Sequence, residues 1–590
     1  MKRIVFWAFT ILIPFILFLL LELVLRVSGY NEDAQDLFVE VAIKPEYVAV
    51  NPSFVSRYFP SFTPDIAKSP FLKQKKDNTF RVFVLGGSST QGYPYNFYSS
   101  FSTQLEQRLS METLGLHIEV INLGMTAVNS FVLWDLSKRI MKYDPDAVLI
   151  YAGHNEYYGS FGAGSTQFGF WGGVGMKRLV LNLKNWRVYQ FFEDVIRSEV
   201  NENPNNRTLM ARVVKDSGIP INSKTYTAGI NQFEENLSDI LEYFNNETVP
   251  AYIGTVASNI KDQEPLGNGE EALKSFEKGN SYFEAGKIDS ARLAYLVAKE
   301  RDEIRFRAPQ VINEVIKKTA KKYDAYLVDI NNASAQASES SIQDKSFFVD
   351  HLHPDWEGHQ LIAHLYFNEL RDNVHVLSEA YSTNPLFGKI TISEFEEVYS
   401  GVQIKRLTAG YPFQKGLSGK QEYANFQRDY ETYLNGSYVD SIAASAWRMQ
   451  RDEPLALTDV INYSNSKTDS LSVLKHYQQL AYWQIFNTEL LKKGVKYAIN
   501  NRRYDLYSAR ILHIILSIER EDPYFANTLA ALYLIHNDLK RSEYWLEKVK
   551  ELDEESVLLW YSYARLYALK GDTAKARNAL DKFTRLRNAR

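Results

Sequence analysis

The stretch Arg81-Val-Phe-Val-Leu85-Gly86-Gly87-Ser88-Ser89-Thr90 decides how this chain is read. A short β-branched and apolar run without alternation reads as a strand buried on both faces. The glycines that follow permit a tight turn and a close approach of backbone to a ligand. Such a turn at a strand end presents a hydroxyl at the rim of a sheet, beside the amide N–H groups that open the next helix. That geometry suits an acyl-transfer nucleophile. A phosphate-binding loop is the competing reading, but no Gly-Lys-Ser/Thr follows and the glycine spacing of a dinucleotide site is absent.

Further buried-strand candidates recur at 118–122, 147–152, 250–255 and 325–330. Between them helical periodicity takes over, with Phe101, Leu105, Leu109 and Leu114 in one stretch and Phe233, Leu237, Ile240 and Phe244 in another. Strands alternating with helices predict an α/β fold of three layers, a parallel sheet covered on both faces, with ligands bound beyond the C-terminal strand ends. Two departures interrupt the rhythm. Residues 156–225 are rich in Gly, Asn and aromatics, including Gly159-Ser-Phe-Gly-Ala-Gly-Ser-Thr-Gln-Phe-Gly-Phe-Trp-Gly-Gly-Val-Gly175, and read as a long loop or lid. Residues 268–310 read as a helical insertion in which Gly279, Tyr282, Ala291 and Ala298 match the small and aromatic positions of one tetratricopeptide-like hairpin.

From about residue 390 strand signals stop, and an all-α region is expected to the end of the chain. Within 523–590 the sequence aligns with itself: Leu529, Leu532, Tyr533, Asp538, Leu546 and Lys548 fall on Tyr563, Leu566, Tyr567, Asp572, Leu580 and Lys582. That offset is the tetratricopeptide period of about 34 residues, in which small residues let paired helices approach. Trp560, Ala564, Tyr567, Ala576 and Leu580 occupy the expected slots, with Phe583 where Ala is usual. Generic helical packing is the alternative. A protein partner is the expected ligand of such an array.

At the other end, Lys2 and Arg3 precede an uncharged, mostly apolar run from Ile4 to Leu21. That is long enough to span a bilayer and longer than a signal-peptide core. Residues 1–30 are therefore expected to form a transmembrane signal anchor, with 31–77 as a juxtamembrane segment. Basic residues ahead of the run keep the N-terminus cytoplasmic and send the bulk of the chain to the periplasmic or extracytoplasmic side.

Composition narrows the chemistry. The chain has 590 residues, a formal charge of −4 and no cysteine. The length implies about two to four cores. Interspersed charges leave no basic footprint for nucleic acid. The lack of cysteine removes disulfides, thiolate metal sites and a Cys nucleophile.

Three more strand ends carry chemical features in order: Asn122-Leu-Gly124, Gly153-His-Asn155-Glu156 and, late in the domain, Asp350-His-Leu-His353-Pro354. With Gly86-Gly87-Ser88-Ser89-Thr90 these blocks resemble the SGNH/GDSL hydrolase family, whose motifs are GDSxT, an isolated Gly, GxND and DxxH. The resemblance covers about residues 78–375. It implies a flavodoxin-like parallel sheet, an ester hydrolase without a cofactor, Ser88 as nucleophile and Asp350 and His353 as its partners. It further implies an oxyanion hole from the Ser88 amide, the Gly124 amide and the Asn155 side chain. Gly87 stands where the family has Asp, and Glu156 where it has the final Asp of GxND.

The chemistry can be followed from the residues as well. A serine hydroxyl needs a neutral imidazole to take its proton, and a carboxylate on the other ring nitrogen fixes the tautomer. The GxSxT frame selects Ser88 over Ser89, and the Asp-to-His spacing selects His353 over His351 and His359. His351 and His353 could share one face of an extended segment and bind metal, but Pro354 interrupts it and no metal would explain Ser88, Gly124 and Asn155. No metal is expected. His154, Glu156 and Asn259 either line the pocket or hold their loops. The expected substrate is an acylated small molecule, lipid or glycan. Hydrolysis, acyl transfer to a sugar hydroxyl and a scaffold role with a vestigial core are the readings in competition.

Overall fold

The computed structural model describes residues 2–59, 64–165, 172–199, 218–377 and 391–589. Five strands form the central sheet: β4 (Thr79–Gly86), β5 (His117–Asn122), β6 (Ala147–Tyr151), β7 (Ala251–Gly254) and β8 (Tyr326–Val328). All pairings are parallel and the spatial order is β5-β4-β6-β7-β8. The chain starts inside the sheet, steps to one edge and then returns past its start, so the order reverses beside the C-terminal end of β4. In a doubly wound sheet that crevice is where ligands bind. β4 and β6 are buried at every position, which explains the unbroken apolar runs Val82–Leu85 and Ala147–Tyr151 within them.

Helices Phe101–Glu112 and Trp356–Asn373 pack together on one face, and Ser130–Ile140, Lys224–Asn246 and Gln310–Lys322 on the other. One continuous core joins the layers, including Val82, Val84, Leu149, Ile253, Leu105 and Phe244. The strands, the sandwich and the all-α region after residue 390 are as expected from periodicity.

Two expectations need correction. The 156–225 segment is not one long loop, because it contains helices Val174–Leu183 and Arg187–Glu199. Glycines at 172, 173 and 175 conceal the first helix start, whereas Leu181, fully buried, shows that its inner face is core. Residues 166–171 and 200–217 of that segment lie outside the described residues. The 31–77 stretch, expected as a juxtamembrane connector, folds onto the sheet: β1 (Phe38–Val41), β2 (Lys44–Val50) and β3 (Phe71–Leu72) form a small antiparallel sheet. Phe38 and Phe71 meet edge-on at 4.9 Å, and Phe71 meets Phe83 of β4 at 5.7 Å. The buried Arg81 guanidinium donates to Glu119 Oε2 at 2.7 Å and to the Leu72 carbonyl at 2.7 Å. A buried pair of this kind persists only where every donor finds an acceptor, and here those acceptors tie β3 to β4 and β5.

The 268–310 insertion is a hairpin of helices Glu270–Glu284 and Ile288–Arg301. A Cβ on Gly279 would sit 2.6 Å from the Tyr295 ring, so glycine sets the approach of the two helices. The C-terminal region runs from helix Glu394–Thr408 to helix Thr573–Asn588, with one core of its own and a second that takes in Met111 of the sheet domain. It is joined to the sheet domain: Tyr98 donates to Glu396 Oε2 at 2.5 Å, and Arg541 Nε donates to the Met111 carbonyl at 2.9 Å. At the N-terminus a helix runs Lys2–Val27. Among the described residues no helix is long and apolar enough to cross a membrane.

Candidate active site

β4 delivers Gly86 and Gly87 to its C-terminal end, and Ser88 opens the short helix Ser88–Gln91 with Gly87 as its N-cap. Gly86 is obligatory, since a Cβ there would lie 2.3 Å from the Tyr151 carbonyl oxygen. Thr90 Oγ1 donates to that same carbonyl at 3.1 Å, which locks the turn to the end of β6. Gly124, after β5, is equally constrained, because its Cβ would lie 2.2 Å from the Gln91 amide nitrogen.

The loop before helix Trp356–Asn373 brings the other groups. The Val349 amide donates to the His353 carbonyl at 3.0 Å, closing a tight loop. Inside it the Leu352 and His353 amides both donate to Asp350 Oδ1 at 2.8 Å. His353 Nδ1 lies 2.6 Å from Asp350 Oδ2, and His353 Nε2 lies 2.7 Å from Ser88 Oγ. Burial opposes charge on Asp350, yet the imidazoles of His353 and His351 and their hydrogen bonds hold its carboxyl well below the usual range. Asp350 is therefore an anion across ordinary pH, and its second oxygen fixes a proton on His353 Nδ1. That leaves Nε2 as the acceptor facing Ser88, the arrangement required for general-base activation of a hydroxyl.

The expected oxyanion donors divide. The Ser88 amide opens its helix without a backbone acceptor, and Asn155, after β6, makes no side-chain hydrogen bond among the described residues. Both remain available to a developing negative charge. The Gly124 amide does not, because it donates to Asn122 Oδ1 at 2.8 Å. Expecting it as a donor overlooked the asparagine two residues earlier, whose Nδ2 also holds the Thr90 carbonyl at 2.8 Å.

The three residues considered for the pocket are bracing groups instead. Burial pushes the Glu156 carboxyl up to about 7 against the pull of Ser130, whose amide and hydroxyl it accepts at 3.1 and 2.7 Å. It caps helix Ser130–Ile140 and is completely buried. His154 bridges the Ala257 carbonyl at 3.1 Å and the Ala308 amide at 3.2 Å, and burial pushes its imidazole down to about 3. Asn259 donates to the Asp350 carbonyl at 3.3 Å and accepts from the Asp262 amide at 2.9 Å, so it steadies the Asp350 loop.

Asp350, His351 and His353 place ligand-type atoms within 4.8 Å of one another. A metal there would have to displace the hydrogen bond between Asp350 and His353, and would compete with the proton chemistry at Ser88.

The sequence profile of the GDSL-like lipase/acylhydrolase family matches residues 82–366, the span that holds Ser88, Asn155, Asp350 and His353. That span is similar to the GDSL-like lipase/acylhydrolase domains. Among solved structures, a lipase/acylhydrolase from Enterococcus faecalis is 14% identical, covering 50% of this chain and 96% of its own, with a TM-score of 0.27. An acetylxylan esterase from Geobacillus stearothermophilus is 14% identical, covering 51% and 96%, with a TM-score of 0.27. No curated protein is detectably similar to the chain. The match over residues 82–366 supports an enzyme that acts on ester bonds.

Two contributors to this GDSL-like site escaped sequence reading. The Tyr93 ring packs on the His353 imidazole with centroids 4.5 Å apart, and its hydroxyl donates to the Gln403 carbonyl at 3.3 Å. Phe413 lies edge-on to His351 at 5.2 Å. Gln403 and Phe413 belong to the C-terminal region, so the helical part of the chain lies over the GDSL-like site. No local pattern announces contacts between residues so far apart in sequence.

Proposed function

We propose that the protein is a serine-dependent ester hydrolase in which Ser88 is the nucleophile, His353 the general base and Asp350 the group that orients it. The observation that carries this reading is the chain of short contacts, 2.7 Å from Ser88 Oγ to His353 Nε2 and 2.6 Å from His353 Nδ1 to Asp350 Oδ2. In the first step Ser88 Oγ gives its proton to Nε2 and bonds to the ester carbonyl carbon. The carbonyl oxygen takes the negative charge toward the Ser88 amide and Asn155 Nδ2. His353 then returns the proton to the leaving alcohol, and water repeats the sequence on the acyl-enzyme. Asp350 stays ionised throughout and stabilises the imidazolium.

The substrate we favour is an acetyl or other short acyl ester of an envelope lipid or glycan. Ser88 is only 9% exposed, and the rings of Tyr93 and Phe413 crowd the histidine side of the site, which favours a small acyl group. The envelope setting rests on the uncharged Ile4–Leu21 run behind Lys2 and Arg3, read as a membrane anchor that leaves the domain outside the cytoplasm. The helix pairs at 523–590, spaced at the tetratricopeptide period, are read as a partner-binding array. The same acyl-enzyme could pass its acyl group to a sugar hydroxyl.

Ser88→Ala should abolish turnover of p-nitrophenyl acetate with thermal stability unchanged, and Ser88-dependent labelling by a fluorophosphonate is expected. Undiminished turnover in Ser88→Ala sinks the mechanism. Accumulation of acylated glycan in place of free acid would select transfer.

A further inference from the structure

Helices Val174–Leu183 and Arg187–Glu199 are joined at 184–186 into one bent segment with two unlike faces, the first helix lying on the hydrolase domain and the second on the N-terminal helix. Its inner face is bonded to the hydrolase domain. Lys177 Nζ donates to the Phe161 carbonyl at 2.7 Å, Arg178 Nε to Asn236 Oδ1 at 2.9 Å, and Leu181 is fully buried. Its outer face is apolar. Met176 and Leu179 are exposed one turn apart on the first helix, Trp186 stands exposed at the bend, and Phe192, Val195 and Ile196 are exposed at i, i+3 and i+4 on the second. Ile196 is 66% exposed and Phe192 52%. Scattered apolar side chains on a surface are ordinary, but a helix face of this kind is a docking surface.

The end of the N-terminal helix is clamped to the second helix of this segment and the turn before it. Glu22 Oε2 accepts from the Val188 amide at 2.9 Å, and the Tyr30 carbonyl accepts from Arg187. Asp194 Oδ2 accepts from the Tyr30 hydroxyl at 2.6 Å and from Asn31 Nδ2 at 3.1 Å. Phe18 packs against Trp186 with centroids 5.6 Å apart. Above this clamp the exposed face of the N-terminal helix carries Leu12, Ile13, Phe15, Ile16, Leu17, Leu19 and Leu20. Glu22, the first acid after that stretch, is 4% exposed and turned inward. The apolar surfaces of the N-terminal helix and this segment thus meet at Phe18 and Trp186, where the uncharged run of the sequence ends.

We infer that the outer face of the 174–199 segment is a membrane-interfacial platform, seated in the headgroup and upper acyl region of the same bilayer that the N-terminal helix enters. The occupant is lipid rather than protein because the adjoining surface is the Ile4–Leu21 run. At about 1.5 Å per residue that run matches the hydrocarbon thickness of a bilayer. The 174–199 segment clamps its final turns, at the depth where tryptophan and amphipathic helices reside. The inference rests on the membrane-anchor reading above and adds that the hydrolase domain is held against the bilayer surface instead of swinging on a tether.

Because the chain has no cysteine, single labelling sites can be introduced at will. The full chain carrying Ile196→Cys, labelled with an environment-sensitive nitrobenzoxadiazole, is reconstituted in phosphatidylcholine/phosphatidylglycerol vesicles and floated on a density gradient. Leu293→Cys, 65% exposed on the insertion hairpin, is the control. The probe at 196 should gain several-fold in emission and be quenched by lipids carrying a doxyl group near the headgroup, while the probe at 293 responds to neither. A second substitution, Met176→Cys, should behave like 196. A chain that floats with water-exposed probes at 176 and 196 overturns the platform and leaves the anchor standing. Probes shielded without lipid quenching, with cross-linking between copies, also overturn it in favour of self-association. A chain that fails to float overturns platform and anchor together.

Discussion

Gly87 and Asn155 compete for one space: a Cβ at position 87 would stand 2.9 Å from Asn155 Nδ2. The departure from GDS at position 87 is thus coupled to the side chain proposed above to face the oxyanion. Gly87→Asp, which restores the usual motif letter, should push the Asn155 amide aside. The expected result is a loss in kcat comparable to that of Asn155→Ala, about 10²–10³-fold for one oxyanion donor. The double variant should be no worse than Asn155→Ala alone, because both act through one group. Full activity in Gly87→Asp would show that the amide position does not matter.

Asn259 holds the carbonyl of Asp350 from the β7 side of the site. Asn259→Ala removes that bond and the acceptor for the Asp262 amide. A net loss of about 1 kcal/mol per hydrogen bond should loosen the loop and lower kcat by about tenfold with little change in KM. Single-turnover kinetics would check this, and a change confined to KM would contradict it.

Glu156 supplies a pH test of the fold. Its folded pKa, about 7, lies above its ordinary value of 4.5. The stability linked to its proton is therefore complete below about 4.5 and is lost as pH rises through about 7. A shift of that size corresponds to at most about 3 kcal/mol. Glu156→Gln keeps one acceptor for Ser130 and cannot ionise, so its melting temperature should fall less than that of the parent between pH 5 and 8. Parallel melting profiles would show that Glu156 does not titrate in this window.

Glu453 tests the junction between the two parts of the chain. Its Oε1 accepts from Asn96 Nδ2 at 2.9 Å and Trp483 Nε1 at 2.8 Å, and burial together with nearby Glu396 raises it to about 8. By the same sign, the contribution from its proton is lost as pH rises through 8. Glu453→Gln should flatten the alkaline fall in thermal stability between pH 7 and 9. Hydrogen exchange at Asn96 and Tyr98 should show the junction opening less in the variant. A steeper fall in Glu453→Gln would contradict the assignment.

Much of this was determined by sequence alone, for a local reason. Buried parallel strands need unbroken apolar runs, so Arg81–Leu85 and its counterparts announced the sheet. The turn after β4 needs glycine at 86, and the Asp350 loop places its carboxylate and imidazole three residues apart, so Ser88, Asp350 and His353 stood out as candidates. Tertiary structure decided what depends on distant groups. Whether Glu156 faces solvent depends on Ser130, and what covers His353 depends on Tyr93 and Gln403, hundreds of residues apart. The 31–77 stretch looked like a connector because its order comes from Arg81, Glu119 and Phe83 of other strands. Burial and hydrogen-bond partners are properties of the packed chain, and no spacing within one segment encodes them.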